Sequence, residues 1–475
     1  MARARKDDDD DDDDRVPAKG NARRGSSGPK STVPKSAVAK NAVKKPVEPK
    51  SPSPPRSNRW LSPKVVAVSE PAAPRMALGA MDPVLWSLTV LLMGFGVVMV
   101  YSASAIEATL GFNDPYHFLK RQSVFAVAAL AIMYALSRFD YQRYRRLTYP
   151  ILGLVTGLLL LSVVGLGHSG GGAARWLRLG PIHVQPSEMA KLALILWLGY
   201  SLAKKQQQVK SFSIGFLPHV ATAAALMLLC LKQPDFGGAV VLLLLTFALL
   251  FVAGARIGYL IGLSLLGALG AVWLVRFRAY RWDRMLAWLH MEDHRQDLAY
   301  QPFQALMGFG SGETFGMGLG DGLQILYLPK AHTDFVAAIV GEELGFVGFG
   351  VLCLIYVVVI VRGIRTALTA HDEYGSYIAF GISVLLGIQA LINLSVAMAI
   401  LPTKGLTLPF VSYGGSSLLV SAAAMGILLN ISRPRSALGA VASLGGSDAG
   451  TLVALATGGE ARAVASLQRT AEEGA

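Results

Sequence analysis

Residues 236–255 read FGGAVVLLLLTFALLFVAGA, an uncharged run bounded by Asp235 and Arg256. A helix needs about 20 apolar residues to cross a hydrocarbon core of about 30 Å, so this run alone is long enough to span a membrane. Similar Leu-, Ala-, Val- and Gly-rich runs recur along most of the 475-residue chain, which is 53% hydrophobic and only 16% charged. Soluble domains carry about 25% charged residues, so this composition calls for lipid as its solvent. Only helices and closed barrels satisfy every backbone group in lipid. The runs lack the strict alternation of barrel strands, which leaves an all-α, polytopic membrane protein. Ten runs begin near Val84, Ser123, Tyr149, Ser187, Gly215, Gly237, Ile257, Phe335, Gly375 and Ser412, predicting about ten transmembrane helices.

Three regions follow from this pattern. Residues 1–75 hold eight consecutive aspartates, Asp7 to Asp14, then a Lys-, Arg-, Pro-, Ser- and Ala-rich stretch almost free of large apolar side chains. Such a segment cannot bury a core and is expected to be a disordered cytoplasmic tail. It has no apolar centre of the signal-peptide kind, so the span near Val84 is expected to be an uncleaved anchor. Residues 76–435 form the ten-helix membrane domain, with a large external loop over 276–334. Residues 436–475 are a second cytoplasmic tail.

An even number of crossings puts both termini on one side. The loops Arg138–Arg146, Lys204–Lys210 and Arg362–Arg365 carry a Lys/Arg excess, which marks that side as the cytoplasm by the positive-inside rule. The long loop also contains arginines and departs from the bias, at a length near the limit where the rule counts. The net charge of +13 is accounted for by the tail and these loops, so its expected partner is anionic membrane lipid and not nucleic acid. Cys230 and Cys353 lie inside apolar runs, where a thiol behaves as a small hydrophobe and no disulfide or metal framework follows.

Four segments carry polar residues that a plain span would avoid. In Gln185-Pro186-Ser187-Glu188 the proline and acid suit the first turn of a helix. Lys191 lies one turn further on, either as a neutral pair with Glu188 or as part of a polar cavity. In Gln233-Pro234-Asp235-Phe236-Gly237 the carboxylate of Asp235 either caps a helix or meets a substrate. The long external loop runs from Trp288 to Gln301 as WLHMEDHRQDLAYQ, then through a glycine-rich stretch to Lys330, His332 and Asp334. Glycines there allow close backbone approach to a ligand, and the charged groups can supply a base and anion contacts; the alternative is a solvated loop. The fourth segment, Leu401 to Ser417, is punctuated by Pro and Gly, and irregular backbone at membrane depth must be protein-buried or line a water-filled cavity. Lys404 within it holds a phosphate as a point charge or snorkels outward.

That fourth segment, PTKGLTLPFVSYGGSS, closely resembles the signature of the FtsW/RodA/SpoVE (SEDS) family. QPSEMAKLAL, QPDFGGA, the Arg175-Trp176 loop and FGSGETFGMGLGDGLQILYLPKAHTDFVAAIVGEELGFVG follow the family in order and spacing. The resemblance covers most of Leu91 to Arg433, and Thr403-Lys404 with the long charged tail look more like the division-type member than the elongation type. It implies an enzyme of the inner membrane at the division septum, a peptidoglycan glycosyltransferase that polymerises lipid II. Transfer would invert the anomeric centre and release undecaprenyl pyrophosphate. It also implies a class B penicillin-binding protein and other divisome proteins as partners.

On this reading the loop holds the base, and Arg175, Glu188, Lys191, Asp235, Lys330, His332, Lys404, Ser412, Tyr413 and Ser416 contact substrate. Members of the family usually carry an Asp followed by Pro, six residues before an aromatic that precedes Gln. Here that position is His294, with Asp293 one residue earlier and Asp297 three later. Asp293 is the favoured base, with Asp297 and His294 as alternatives. No cofactor is established by the sequence, and Mg or Mn beside the pyrophosphate is compatible with the loop carboxylates. Two other functions compete. A lipid II flippase would suit ten spans with intramembrane charges, and a scaffold for the transpeptidase would need no loop carboxylate.

Overall fold

The computed structural model describes residues 77–166, 168–170, 173–179, 182–277 and 279–436. The expected tails over 1–75 and 437–475 and the side chain of Arg175 lie outside them. Fourteen helices follow in order among the described residues: α1 Pro83–Phe112, α2 His117–Arg138, α3 Tyr144–Leu161, α4 Pro186–Lys204, α5 Leu217–Lys232, α6 Phe236–Val252 and α7 Ile257–Arg276; then α8 Ala279–Leu289, α9 Tyr300–Gly312, α10 Gln324–Tyr327, α11 Ala331–Asp334, α12 Val336–Leu368, α13 Glu373–Ala397 and α14 Gly415–Ile431.

The ten long helices match the ten apolar runs. Seven stretches are long and apolar enough to cross a membrane by themselves: α1, α2, the stretch around α3, the stretch around α5, α7, α12 and α13. The other three are α6 and α14, each of 17 residues, and α4, whose first turns carry Glu188 and Lys191. The chain is a multi-pass helical membrane protein. The starts of α2 and α3 fall earlier than expected, because His117, Lys120, Arg121, Arg145 and Arg146 are helical although polar.

Helix α4 buries residues on every side, from Pro186 to Leu202, as an all-round apolar helix at the centre of a bundle must. It packs against α3, α6 and α13, while α13 also meets α12 and α14 lies along α2. Helix α7 is peripheral, with only Leu260 and Leu263 buried among its residues, so its apolar surface faces lipid.

The two ends of the bundle differ in character. At one end the chain's described termini meet: β1 (Ala77–Leu78) pairs antiparallel with a strand at Arg435–Ser436. There Asp82 pairs with Arg362 at 2.9 Å, Arg145 pairs with Asp372, and the Tyr141 N–H donates to Asn430 Oδ1 at 3.0 Å. This end collects the basic loops. At the other end, the stretch expected as a simple Gly/Arg/Trp loop is instead a three-stranded antiparallel sheet. Its strands are β2 His168–Gly170, β3 Ala173–Leu179 and β4 Ile182–Val184, with Leu177 opposite Val184; the strand at 435–436 is β5.

The same end holds α8 to α11, so the expected external loop is mostly helical. Several of its glycines are taken up by packing against α12, whereas Gly310 and Gly320 meet nothing within 4 Å of an added Cβ. A Cβ on Gly322 would come within 2.8 Å of Glu342 Oε2, and Gly312 and Gly316 lie against the backbone of Gly341 and Glu343. These glycines let the chain wrap the buried acids of α12: Glu342 accepts from the N–H groups of Leu323 (2.8 Å) and Gln324 (3.1 Å), and Glu343 accepts from Ser102.

The segment 398–414 returns between α13 and α14 as irregular backbone, with Leu406, Leu408, Phe410 and Val411 buried. The Asn393 amide donates to the carbonyls of Leu406 (2.6 Å) and Asp334 (3.0 Å), and the Tyr356 hydroxyl donates to Pro409 O at 2.5 Å. On the far side it rests on Gly96 of α1, where a Cβ would lie 2.6 Å from Phe410 O and 2.7 Å from Val411 Cα. Backbone atoms cannot yield as a side-chain tip can. Gly96→Val is therefore expected to destabilise the protein by about 1–3 kcal/mol as an overpacked site, read as a lowered midpoint in thermal unfolding of the purified protein. Gly94→Val, at a position with nothing within 4 Å of the added Cβ, is the control and should leave the midpoint close to wild type.

Candidate active site

Three helix starts converge at the strand-bearing end. Pro186 occupies the first turn of α4, where its missing N–H costs nothing, and leaves Gln185 extended just outside. Asp235 caps α6: its Oδ1 accepts from the Gly238 N–H at 2.9 Å. Its other oxygen accepts from the Ser187 hydroxyl at 2.6 Å and from the Gln185 amide at 3.5 Å. The Gln185 N–H in turn donates to Ser416 Oγ at 3.1 Å, in the first turn of α14. The capping role expected for Asp235 is present, and so is a second role as the tie between α4 and α6.

Two cations face the ring that follows this aspartate. Lys404 Nζ lies 3.4 Å from the centroid of Phe236, and the Arg281 guanidinium of α8 lies 5.3 Å from the same ring. Burial pushes the Lys404 ammonium down to about 8, and the nearby positive charge of Arg281 pushes the same way against the opposing carboxylate of Asp235. No carboxylate lies within 4.0 Å of Lys404 among the described residues. A half-buried ammonium beside a guanidinium, over an aromatic face, is arranged to receive an anion. Arg281 was not foreseen. Its signal is the strongly amphipathic helix α8 directly after α7, which carries its basic residues toward the bundle end.

A second group of predicted residues gathers beside α1 and α2. His332 on α11 is buried against Phe118 (4.5 Å between ring centroids) and Tyr413 (5.4 Å), with Nδ1 3.3 Å from Glu107 Oε2. Its carbonyl accepts from the Tyr413 N–H at 2.9 Å. Burial pushes the His332 imidazole down to about 4, helped by the charge of Lys330, so the ring is neutral at physiological pH. Ser412 Oγ accepts from the Leu408 N–H at 3.0 Å, closing a turn. In this structure Ser412, Tyr413 and Ser416 hold the segment 398–417 in place, while Lys330 is exposed.

The loop candidates are placed differently. Asp293 and Asp297 are exposed and His294 is half-buried, on the turn 290–299 between α8 and α9. That turn is closed by its own backbone, with the Asp297 and Ala299 N–H groups donating to His294 O at 3.0 and 3.1 Å. Its near end is fixed where the Trp288 indole donates to Ala399 O at 2.8 Å. Trp288 thus ties α8 to the Lys404 segment and Arg281 sets it against Phe236 of α6, and the three candidates stand on the exposed turn beyond α8. Arg175 lies on β3.

Glu188 and Lys191 form an ion pair at 2.7 Å, both buried. Of the two roles open to them, the neutral pair is present, made within one helix and within electrostatic reach of Cys230, as Asp235 is. Lys191 therefore has its charge satisfied. Removing one member of a buried pair strands the other and costs about 3–5 kcal/mol, whereas replacing both with apolar residues of similar volume is near neutral. Lys191→Met is expected to lower the unfolding midpoint sharply, and Glu188→Leu/Lys191→Met to restore most of it, by thermal melts in detergent. A double variant as unstable as the single one would show that the pair serves more than its own neutrality.

Known proteins share this framework. Residues 83–437 match the FtsW/RodA/SpoVE family model, described as a cell cycle protein. A probable peptidoglycan glycosyltransferase FtsW of Geobacter sulfurreducens is 45% identical over 353 residues, 74% of this chain and 95% of the relative. The stage V sporulation protein E of Bacillus subtilis is 40% identical over 354 residues, 74% of this chain and 97% of the relative. Among solved structures, one described as coordinating polymerization and crosslinking in a peptidoglycan synthase complex aligns at a TM-score of 0.63 and 31% identity, covering 74% of this chain and 98% of that one. The rod shape determining protein RodA of Thermus thermophilus aligns at 0.55 and 30% identity, covering 74% and 97%. With its ten helices, its family-like motifs and these relatives, the chain belongs to the FtsW/RodA/SpoVE family.

Proposed function

We propose that this chain is a peptidoglycan glycosyltransferase that polymerises lipid II into glycan strands at the division septum. The observation that carries the reading is the Lys404–Arg281 pair over Phe236, at the bundle end opposite the basic loops. In the reaction a base takes the proton of the acceptor 4-hydroxyl, whose oxygen then attacks the donor anomeric carbon. The bond to the pyrophosphate oxygen breaks with inversion, and undecaprenyl pyrophosphate leaves. Lys404 and Arg281 hold the leaving phosphates and stabilise the charge that develops on them. Asp293 is the base on this reading, with Asp297 and His294 as the alternatives. Asp235, Ser187, Gln185 and Ser416 tie together the helix starts beside the cations, and Arg175, read from the sequence, is a further phosphate contact on this proposal.

Among the described residues no three His, Cys, Asp or Glu side chains gather to hold a metal ion. A divalent cation such as Mg or Mn, bound with the pyrophosphate, would add positive charge beside Lys404 and Arg281. The membrane is the bacterial inner membrane, the basic end faces the cytoplasm and so do both termini, as the meeting of β1 and β5 supports. The named relatives favour the division-type member. The synthase-complex neighbour supports a class B penicillin-binding protein as partner, together with other divisome proteins.

Glycan synthesis from labelled lipid II tests the reading, using the full chain with its penicillin-binding partner and that partner's transpeptidase site blocked. Asp293→Ala is expected to lose about 10²–10⁴-fold in rate as the loss of a general base, while Asp297→Ala and His294→Ala stay active. Activity in all three would remove the base from this turn. No polymer under any condition, with lipid II still crossing proteoliposome membranes, would favour a flippase.

The depressed ammonium gives a second expectation. Lys404 loses its charge as pH rises through about 8, so the wild-type rate should fall there relative to Lys404→Arg, whose guanidinium stays charged. Parallel pH profiles of the two proteins would take Lys404 out of phosphate binding.

A further inference from the structure

The basic end of the bundle holds a cleft of about 340 Å³ between the start of α1 and the ends of α2 and α14, lined by Ala80, Met81, Pro83, Trp86, Arg138 and Arg433. None of the reacting groups assigned above lies there. Arg433 is unusual for an arginine at the end of a membrane helix. Such side chains ordinarily snorkel their heads into water, yet Arg433 is only 9% exposed and its Nε has no hydrogen-bond partner. Burial and the like charge of Arg138 both work against its own charge. Arg138 is exposed; its guanidinium lies over the Tyr134 ring at 5.1 Å and donates to the Tyr134 hydroxyl at 2.9 Å. Among the described residues no acidic side chain lines the cleft. The nearest in sequence, Asp82, is engaged by Arg362 at 2.9 Å and by the N–H groups of Val84 and Leu85.

Two guanidiniums in proximity, one buried and short of an acceptor, leave room for one anion between them. The opposite wall is apolar, with Trp86 packed edge-on to Tyr134 at 6.2 Å, and amphipathic aromatics of this kind sit at headgroup level. A soluble anion would use the arginines and leave that wall idle. We propose that this cleft is a binding site for one anionic phospholipid of the leaflet on the basic side. The phosphate bridges Arg433 and Arg138, and the glycerol and upper acyl chains lie along Pro83, Met81 and Trp86. The lipid would clamp the first and last membrane helices together, next to the β1–β5 pair that joins the two described ends of the chain.

Native mass spectrometry of the full-length protein, with phosphatidylglycerol or phosphatidylcholine of the same acyl chains, tests this. Wild type is expected to retain one phosphatidylglycerol in preference to phosphatidylcholine. Arg138→Gln, at an exposed position, should weaken that retention about fivefold, the effect of one basic side chain near an anionic surface. Arg433→Gln should weaken it at least as much, and Trp86→Ala should weaken both lipids. Equal retention of the two lipids, or phosphatidylglycerol binding unchanged in both arginine variants, would overturn the proposal. Displacement of the lipid by inorganic phosphate would overturn it too, marking a soluble-anion site. So would lipid binding that appears only after deletion of Asp7 to Asp14, which would assign the cleft to the chain's own acidic run.

Discussion

Backbone groups buried at the strand-bearing end of this bundle need partners inside the protein, and the segment 398–414 is where that demand is greatest. It is irregular backbone lying between membrane helices, so no regular ladder satisfies its N–H and carbonyl groups. The structure meets the demand with side chains sent from neighbours, Asn393 to Leu406, Tyr356 to Pro409 and Trp288 to Ala399, while Ser412 Oγ within the segment accepts from the Leu408 N–H. Each neighbouring donor belongs to a different stretch of chain, so the placement of Lys404 depends on α8, α12 and α13 at once. Gly96 completes the arrangement by giving up its side chain where the segment passes. Irregular backbone at this depth is tolerated only when protein buries it or it lines a cavity, and this segment satisfies the first condition while presenting Lys404 at its edge.

How much of this was legible in the sequence depends on the range of the interaction. The ten helices were legible because each is written in a contiguous apolar run, and even α4, α6 and α14 obey that rule although they are too short or too charged to span on their own. The turn at Asp235 was legible as a cap because capping is local. The roles of the loop glycines were not, because Gly312, Gly316 and Gly322 are matched to the backbone and acids of α12, some twenty to thirty residues away. The pattern that exposes this pairing is the adjacent Glu342 and Glu343 inside an apolar run. Two buried carboxylates require donors, and the N–H groups after the glycines provide them. Arg281 escaped for the same reason, since its partner Phe236 belongs to another helix. The small sheet at 168–184 is a third case, in which Gly, Arg and Trp in a short stretch look like a loop until a register is available.

Charge at the strand-bearing end is sorted into two kinds. Asp235 and the Glu188–Lys191 pair are compensated within the protein, by Ser187, Gln185 and the Gly238 N–H in the first case and by each other in the second. Lys404 is not compensated in this way, and its ammonium is held over an aromatic face next to a second cation. A protein that only needed to be stable would pair that lysine or leave it in water, because an ammonium drawn out of water toward another positive charge raises the energy of the folded state. Such local cost is expected at a functional site, where the missing partner is the ligand.

The division of the candidate site into a buried part and an exposed part follows from what the proposed substrates are. A lipid-linked pyrophosphate arrives from the bilayer, so the groups that hold it have to sit at membrane depth in a fixed frame; Lys404 stands on a segment pinned by Asn393, Tyr356 and Trp288, and Arg281 stands near the start of α8. The acceptor sugar is water-soluble apart from its own lipid, and a base that meets its hydroxyl belongs at the aqueous edge, where Asp293, His294 and Asp297 stand on a turn closed only by its own backbone. Helix α8 joins the two parts, with Arg281 near its first turn facing the Phe236 ring beside Lys404 and Trp288 near its last fastening the turn to Ala399. A shift of this one helix would move base and cation together, so the distance between the two reacting ends of the substrates is set by a rigid element instead of by a flexible loop.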